Sequence, residues 1–303
     1  MLSLFPIKFP GGVKVKSKIQ IKPYFFIFPS FVFMCLFFYY PVFYAVYCSF
    51  TDYRLGTAMN FVGLDNYFRL FQDRIFLIAL KNQALFTAAD IFKSIFFPLL
   101  AAEILFFIRN RSLANKFKTM FVIPMLVPGI VSVLMWGYIY NYDFGAINSF
   151  LQMIGLESWR HAWLLEEGTA LVSLIFIGFP FVSGLNFLIL YSGLSTISIE
   201  LGEAARLDGC ATMGIVRHIH LPLVTPFISA VAILTAIGSL QDYAKILVTT
   251  GGGPGAATYI PALYMYKAAF ADHEMGYASS AGVVIFIILI LLTIISMKIS
   301  KKD

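Results

Sequence analysis

Residues able to do chemistry are sparse in this chain of 303 residues, and their spacing rules out more than it admits. His218 and His220 stand two apart with no third ligand near them, short of the three or four donors a metal centre needs. Cys35, Cys48 and Cys210 have neither disulfide nor zinc spacing. Gly251-Gly252-Gly253-Pro254-Gly255 has the glycines of a phosphate-cradling loop, but no Gly-Lys-Ser/Thr follows and no strand precedes it, so it reads as a turn. No Ser-His-Asp arrangement can be defended, and no catalytic residue is assigned. The polar groups that interrupt apolar sequence carry more information. Asp90 and Lys93 can pair across one helical turn, a local neutralisation that competes with a role in conducting a solute. Thr235, Ser239 and Asp242 fall at i, i+4 and i+7, on one helical face, and a second apolar run carries Asn186 with Phe181 near its polar side. Such groups either line a polar path or hydrogen-bond helix to helix, and both readings stay open.

Helices crossing a membrane must position these residues. Of the chain, 59% is hydrophobic, 17% aromatic and only 13% charged, with a mean hydropathy of +0.82, which is too apolar for a soluble globular protein. Runs long enough to cross the hydrocarbon core occur near 24–50, 76–108, 119–141, 168–192, 222–249 and 277–298, which predicts an all-α integral membrane protein of six spans. The first run is too long for a signal-peptide core, and Met34 and Tyr47 before the two early cysteines argue against lipoprotein cleavage; it is expected to stay as a span. Lys and Arg number fourteen in the N-terminal flank, the 109–118 loop, the central loop and the C-terminus, against seven in the alternate loops. By the positive-inside rule both termini and the central loop 195–221 face the cytoplasm, with residues 1–23 a basic flank that could also touch anionic lipid. This distribution serves topology, and no nucleic-acid motif accompanies the net charge of +6. Glu103 is expected to reach the headgroups from the inner end of its span. Pro98, Pro124, Pro128-Gly129, Gly178, Pro180 and Gly184 predict bent spans covered by their neighbours, and Ala278 with Gly282 predicts a close helix approach.

The longest polar interruption is Glu203–Pro222, EAARLDGCATMGIVRHIHLP. Thr196 and Ser198 offer oxygens to the free N–H groups of a helix start, Glu200 and Glu203 put negative charge in its first turn, and Ala204, Ala205 and Leu207 favour helix. Gly209 should stop it with a positive φ, and Ala211–Ile219 should begin a second short helix at an angle. A plain amphipathic connector on the membrane surface is the alternative.

The spacing Glu203-Ala204-Ala205, three residues, Gly209, nine residues, Ile219, one residue, Leu221-Pro222 resembles the EAA signature of bacterial ABC-importer permeases. The likeness covers most of the chain. Phe61–Tyr67 (FVGLDNY), Gly251–Pro254 with Thr258, and Ala268-Ala269-Phe270 are similar to outer-loop motifs of the carbohydrate-type members, while Cys210 and Gly202 depart from the usual residues without changing the spacing. The resemblance implies a type I importer permease fold in which Glu203, Ala204, Ala205, Asp208, Gly209, Ile219, Leu221 and Pro222 form a cytoplasmic coupling helix and its bend. It implies a cytoplasmic ATPase dimer carrying ATP and Mg, a second permease subunit in a heterodimer, and an extracytoplasmic solute-binding protein, with no cofactor or metal on this chain. It also implies a sugar, an oligosaccharide or glycerol phosphate as solute, in a bacterial plasma membrane. Phe181, Asn186, Thr235, Ser239 and Asp242 are then candidates for the substrate path, since sugars need hydrogen bonds and aromatic walls. An autonomous secondary transporter should show repeated halves with matching broken helices, and a membrane-embedded transferase should show clustered acidic or metal-binding residues; neither pattern is evident.

Overall fold

The computed structural model describes residues 22–108 and 110–300, with side chains from 24 to 294 within that range. The flank 1–21, Arg109, Lys301 and Lys302 lie outside the described residues, as do the side chains of Lys22 and Lys298. Among the described residues the regular structure is helical, apart from an isolated bridge between Thr51 and Phe61.

Helix α1 (Tyr24–Cys48) is apolar throughout, and most of its side chains are exposed. Its wide turn at Cys35–Tyr39 comes just before Pro41, whose ring would otherwise press on the carbonyl four residues back. Residues 45–303 form a separate compact unit. There α2 (Asp65–Gln72) leads into α3 (Arg74–Phe106), capped by the Asp73 carboxylate, which accepts from the N–H groups of Ile75 and Phe76 at 2.7 and 3.2 Å.

The expected third span is α4 (Arg111–Leu126) and α5 (Gly129–Ile139), meeting at 89°. The bend falls where the proline rule puts it: Val127 before Pro128 is extended. Short α6 (Ala146–Met153) follows. The expected span 168–192 is not one helix. It is α7 (Glu167–Phe176) and α8 (Gly184–Ser195), separated at 177–183 by Gly178 at φ +92, Pro180 without an N–H, and Phe181 at φ +64. Next come α9 (Ile199–Leu207) and α10 (Thr212–Gln241), then short α11 (Tyr243–Thr249) and α12 (Pro261–Phe270), and finally α13 (Met275–Ser300). Among the described residues four helices are long and apolar enough to cross a membrane, and counting the bent pairs α4/α5 and α8/α9, the latter meeting at 65°, as one span each raises that to six.

The core that matters for function lies between α3, α8 and α10. Ala101, Ala102 and Leu105 pack on Phe187, Leu190 and Leu194 and on Val224 and Val231, all buried. Gly193 lets α8 approach α10 closely, since a Cβ there would stand 2.7 Å from the Phe227 ring. A second cluster joins Leu70 and Phe76 to Ala268, Ala269, Tyr277, Ala278 and Ala281. The small-residue face expected on the last span is real: Ala278 is buried, and Gly282 sits where a Cβ would meet the Met265 sulfur of α12 at 3.0 Å.

The loop motifs turn out to be fastenings. Asn66 donates to the carbonyls of Ser49 and Thr51 at 2.9 and 2.8 Å, and Tyr67 meets Ser49 Oγ at 2.6 Å. Asp52 accepts from the side chain and backbone of Asn60, and these bonds hold its carboxyl below the usual carboxylate range. In the glycine-rich turn Thr258 donates to Gly253 O at 2.8 Å, and Lys267 Nζ donates to Gly251 O at 2.7 Å.

Candidate functional site

Glu203–Pro222 does form a helix and a bend, but the helix that follows is not a separate short one. Ser198 is the N-cap of α9 without capping it: its hydroxyl donates to Glu200 Oε2 at 2.8 Å, while Thr196 turns back to Gly193 O at 2.7 Å. The expected side-chain cap is therefore not made, because both hydroxyls have nearer acceptors.

The far end of α9 follows expectation. Gly209 has φ +82, its N–H bonds to Arg206 O at 3.0 Å, and the Cys210 N–H bonds to Ala205 O at 2.9 Å. This pairing satisfies the last carbonyls of a helix and requires a left-handed residue at the glycine position. A Cβ on Gly209 would meet nothing within 4 Å, so backbone conformation alone demands the glycine. Cys210 packs on the next turn, where Gly214 leaves room for its sulfur.

The helix expected at Ala211–Ile219 and the span expected from 222 are one continuous helix, α10. A wide turn at Val216–His220 takes up the misfit ahead of Pro222, with the Leu221 N–H bonded to Val216 O. α10 is therefore a single rod running from the bend to Gln241. On α9 and its continuation, Glu203, Ala204, Asp208 and Gly209 are exposed, Ala205 is half-buried, and Ile199, Leu201, Leu207 and Met213 present bare apolar side chains. Ile219 and Leu221 are half-buried and Pro222 is exposed.

Glu103 corrects another expectation. Its carboxylate does not reach headgroups; it is buried, and Oε2 lies 2.8 Å from Nδ1 of the equally buried His220. Sequence reading weighed His220 only as a metal ligand. No signal in either run pairs them, since 117 residues separate the two.

Midway along α3 and α10 a second polar group closes. Lys93 Nζ meets Asp90 Oδ1 at 2.8 Å and donates to Ile175 O at 2.7 Å, so the local pair expected from spacing is formed. Ser239 donates to Asp90 Oδ2 at 2.7 Å, and Gln83 donates to Ser239 O at 3.1 Å. Asp242 interrupts the helix with ψ 66 and so is not on an unbroken face with Thr235 and Ser239. Ser239 and Asp242 nevertheless share a cavity with Gln83, Asp90 and Lys245; at about 10 Å³ it has room for one water and not for a sugar ring. Phe181 is not on a helix, but its ring lies 5.3 Å from Lys93 Nζ, which ties it to the same network. Asn186 and Thr235, both half-buried, lie outside the cavity lining.

A bent, exposed segment rooted on a membrane-crossing rod defines a class of protein, and comparison with known proteins specifies it. Residues 94–303 match the family described as binding-protein-dependent transport system inner membrane component. The probable ABC transporter permease protein YurN of Bacillus subtilis (strain 168) is 34% identical over 93% of this chain and 97% of its own. The multiple sugar-binding transport system permease protein MsmF of Streptococcus mutans is 30% identical over 88% and 91%. A bacterial alginate ABC transporter, solved with an alginate pentasaccharide-bound periplasmic protein, superposes with a TM-score of 0.81 over 93% of this chain and 96% of its own at 18% identity, a likeness of fold. The chain belongs to the binding-protein-dependent transport system inner membrane component family. It is a multi-pass membrane permease subunit of an ABC importer, a transport component rather than an enzyme.

Proposed function

We propose that this permease passes a sugar or oligosaccharide delivered by an extracytoplasmic solute-binding protein, in a path shared with a second, different permease subunit. Two cytoplasmic ATPase subunits, holding ATP and Mg, drive it through Glu203–Pro222. The observation that carries the reading is the exposed α9, joined through the left-handed bend at Gly209 to the rod α10. An apolar surface of Ile199, Leu201, Leu207 and Met213 with Glu203 and Asp208 beside it suits docking in a cleft edged by basic groups. The Lys/Arg asymmetry supports a cytoplasmic position for this surface and for both termini, in a bacterial plasma membrane. The sugar rests on relatives such as MsmF, a multiple sugar-binding transport system permease, and on the alginate importer of the same fold.

Phe181, Asn186, Thr235, Ser239 and Asp242 are proposed as lining of the path, with the Asp90–Lys93 pair as its fixed backing. Because the cavity at Ser239 is smaller than a sugar, the solute would pass beside it, on the face toward the second permease. The test is uptake of a panel of labelled oligosaccharides by cells with and without this chain, alongside co-purification of an ATPase. Uptake of a sugar that disappears with the chain supports the reading; an ATPase that co-purifies while no sugar is taken up keeps the importer and discards the sugar.

A further inference from the structure

We infer that Glu103 and His220 form a positioning pin that locks the inner end of α3 to the root of α10, so that α3 follows the coupling segment. This rests on the reading of Glu203–Pro222 as the ATPase-coupled segment and adds two residues outside its exposed surface. Glu103 Oε2 lies 2.8 Å from His220 Nδ1, and both side chains are more than nine-tenths buried. The two atoms are joined by one hydrogen bond. Glu103 Oε1 is buried without a partner among the described residues, which leaves His220 as the carboxylate's sole side-chain partner there. The imidazole is held from two sides, edge-on to Phe106 at 5.1 Å and stacked on Phe107 at 5.6 Å. It therefore has little freedom to let the carboxylate go.

The place of the pair gives it consequence. His220 ends the wide turn at Val216–His220, ten residues after the bend at Cys210, on the one rod that runs from that bend through the membrane. Glu103 lies near the end of α3, whose middle is fastened to the same rod by the Ser239–Asp90 bond at 2.7 Å and the Gln83–Ser239 bond at 3.1 Å. Fastened at two levels, α3 and α10 cannot slide past each other without breaking the buried Glu103–His220 contact and the half-buried bonds of Ser239. A displacement applied at α9 is then delivered to Asp90 and Lys93 as well as to α10.

The experiment uses the full complex of both permeases and the ATPase in lipid. Cys35→Ala, Cys48→Ala and Cys210→Ala clear the native thiols, and Lys81→Cys on α3 with Leu223→Cys on α10, both exposed positions, supply the two spin label sites. With the pin in place, the distance between the labels is a single peak that shifts by less than about 2 Å when ATP and vanadate trap the ATPases closed, whereas independent sliding of one helix would move it by about 5 Å, one turn. The Glu103→Leu/His220→Phe pair removes both polar partners together, avoiding a stranded charge, and should assemble with ATPase yet broaden and shift that peak on trapping. A shift of the larger size in the otherwise native chain overturns the inference whatever the variants do; so does an unshifted single peak in the double variant. Should the double variant not assemble, the native-pair measurement decides alone. Loss of ATPase co-purification from the native chain would count against the coupling reading and is seen separately.

Discussion

Gly209 and Phe181 both hold the chain in the left-handed region at the edge of a helix, yet they do so by opposite means. Gly209, at φ +82, stands in open space: a side chain would touch nothing, and nothing around the bend would compensate a residue that dislikes the conformation. Phe181, at φ +64, is embedded, its ring 5.2 Å from Phe97, 5.4 Å from Phe179 and 5.9 Å from Phe176, with Lys93 close to its face. A left-handed non-glycine residue costs about 1–2 kcal/mol, and aromatic pairs return about 0.5–1.5 kcal/mol each. The bend in open space is specified by residue type alone, whereas the break between α7 and α8 is specified by its surroundings.

That contrast is tested most severely at the bend. Gly209→Val adds a β-branched side chain at positive φ and should lower uptake at least about tenfold by misdirecting α9, while Gly209→Asn, which visits this region more easily, should keep most of it. Equal activity of the two variants, in membranes holding equal amounts of the complex, would remove the conformational explanation. Next in size is Ser239→Leu. It deletes the donor to Asp90 and fills a cavity with room for one water, so uptake should fall about tenfold with complex assembly intact. Lost assembly instead would make the network a helix fastening only.

Phe181 supplies the converse of Gly209. Phe181→Gly relieves the backbone but deletes three ring contacts, and Phe181→Ala deletes the contacts and keeps the strain. Thermal unfolding of the purified complex should place alanine below glycine and both below the native chain. If glycine proved more stable than phenylalanine, packing would not be what holds the break. The smallest effect belongs to Ser198→Ala: the hydroxyl caps no helix N–H, so the usual capping loss of about 1 kcal/mol should shrink below about 0.5 kcal/mol in the same assay.

Local rules read from the sequence found what local chemistry determines. Gly209, the bend at Pro128, the Asp90–Lys93 pair at i, i+3 and the close approach at Ala278 and Gly282 follow from φ preference, a missing N–H, helical spacing and side-chain size. Contacts between distant segments were not legible in the same way. Glu103 and His220 are 117 residues apart, and nothing in either run announces the other. The N-cap at Ser198 looked sound and failed because Glu200 competes for its hydroxyl. Spans 168–192 and 222–249 were drawn by apolarity, which is blind to whether the backbone breaks at 177–183 or starts ten residues early at Thr212.

The central claim is that α9 is the surface through which this permease meets its ATPase. Glu203 is exposed there between Gly202 and the small side chains of Ala204 and Ala205, on the short arm α9 that leaves α8 at 65°, so Glu203→Lys reverses charge on an open surface. ATPase co-purified per permease, compared between the native chain and this variant in membranes holding equal amounts of each, measures the claim directly. A loss of about tenfold or more, with oligosaccharide uptake falling in step, is the predicted result. Native levels of both would contradict it and would make α9 a bystander.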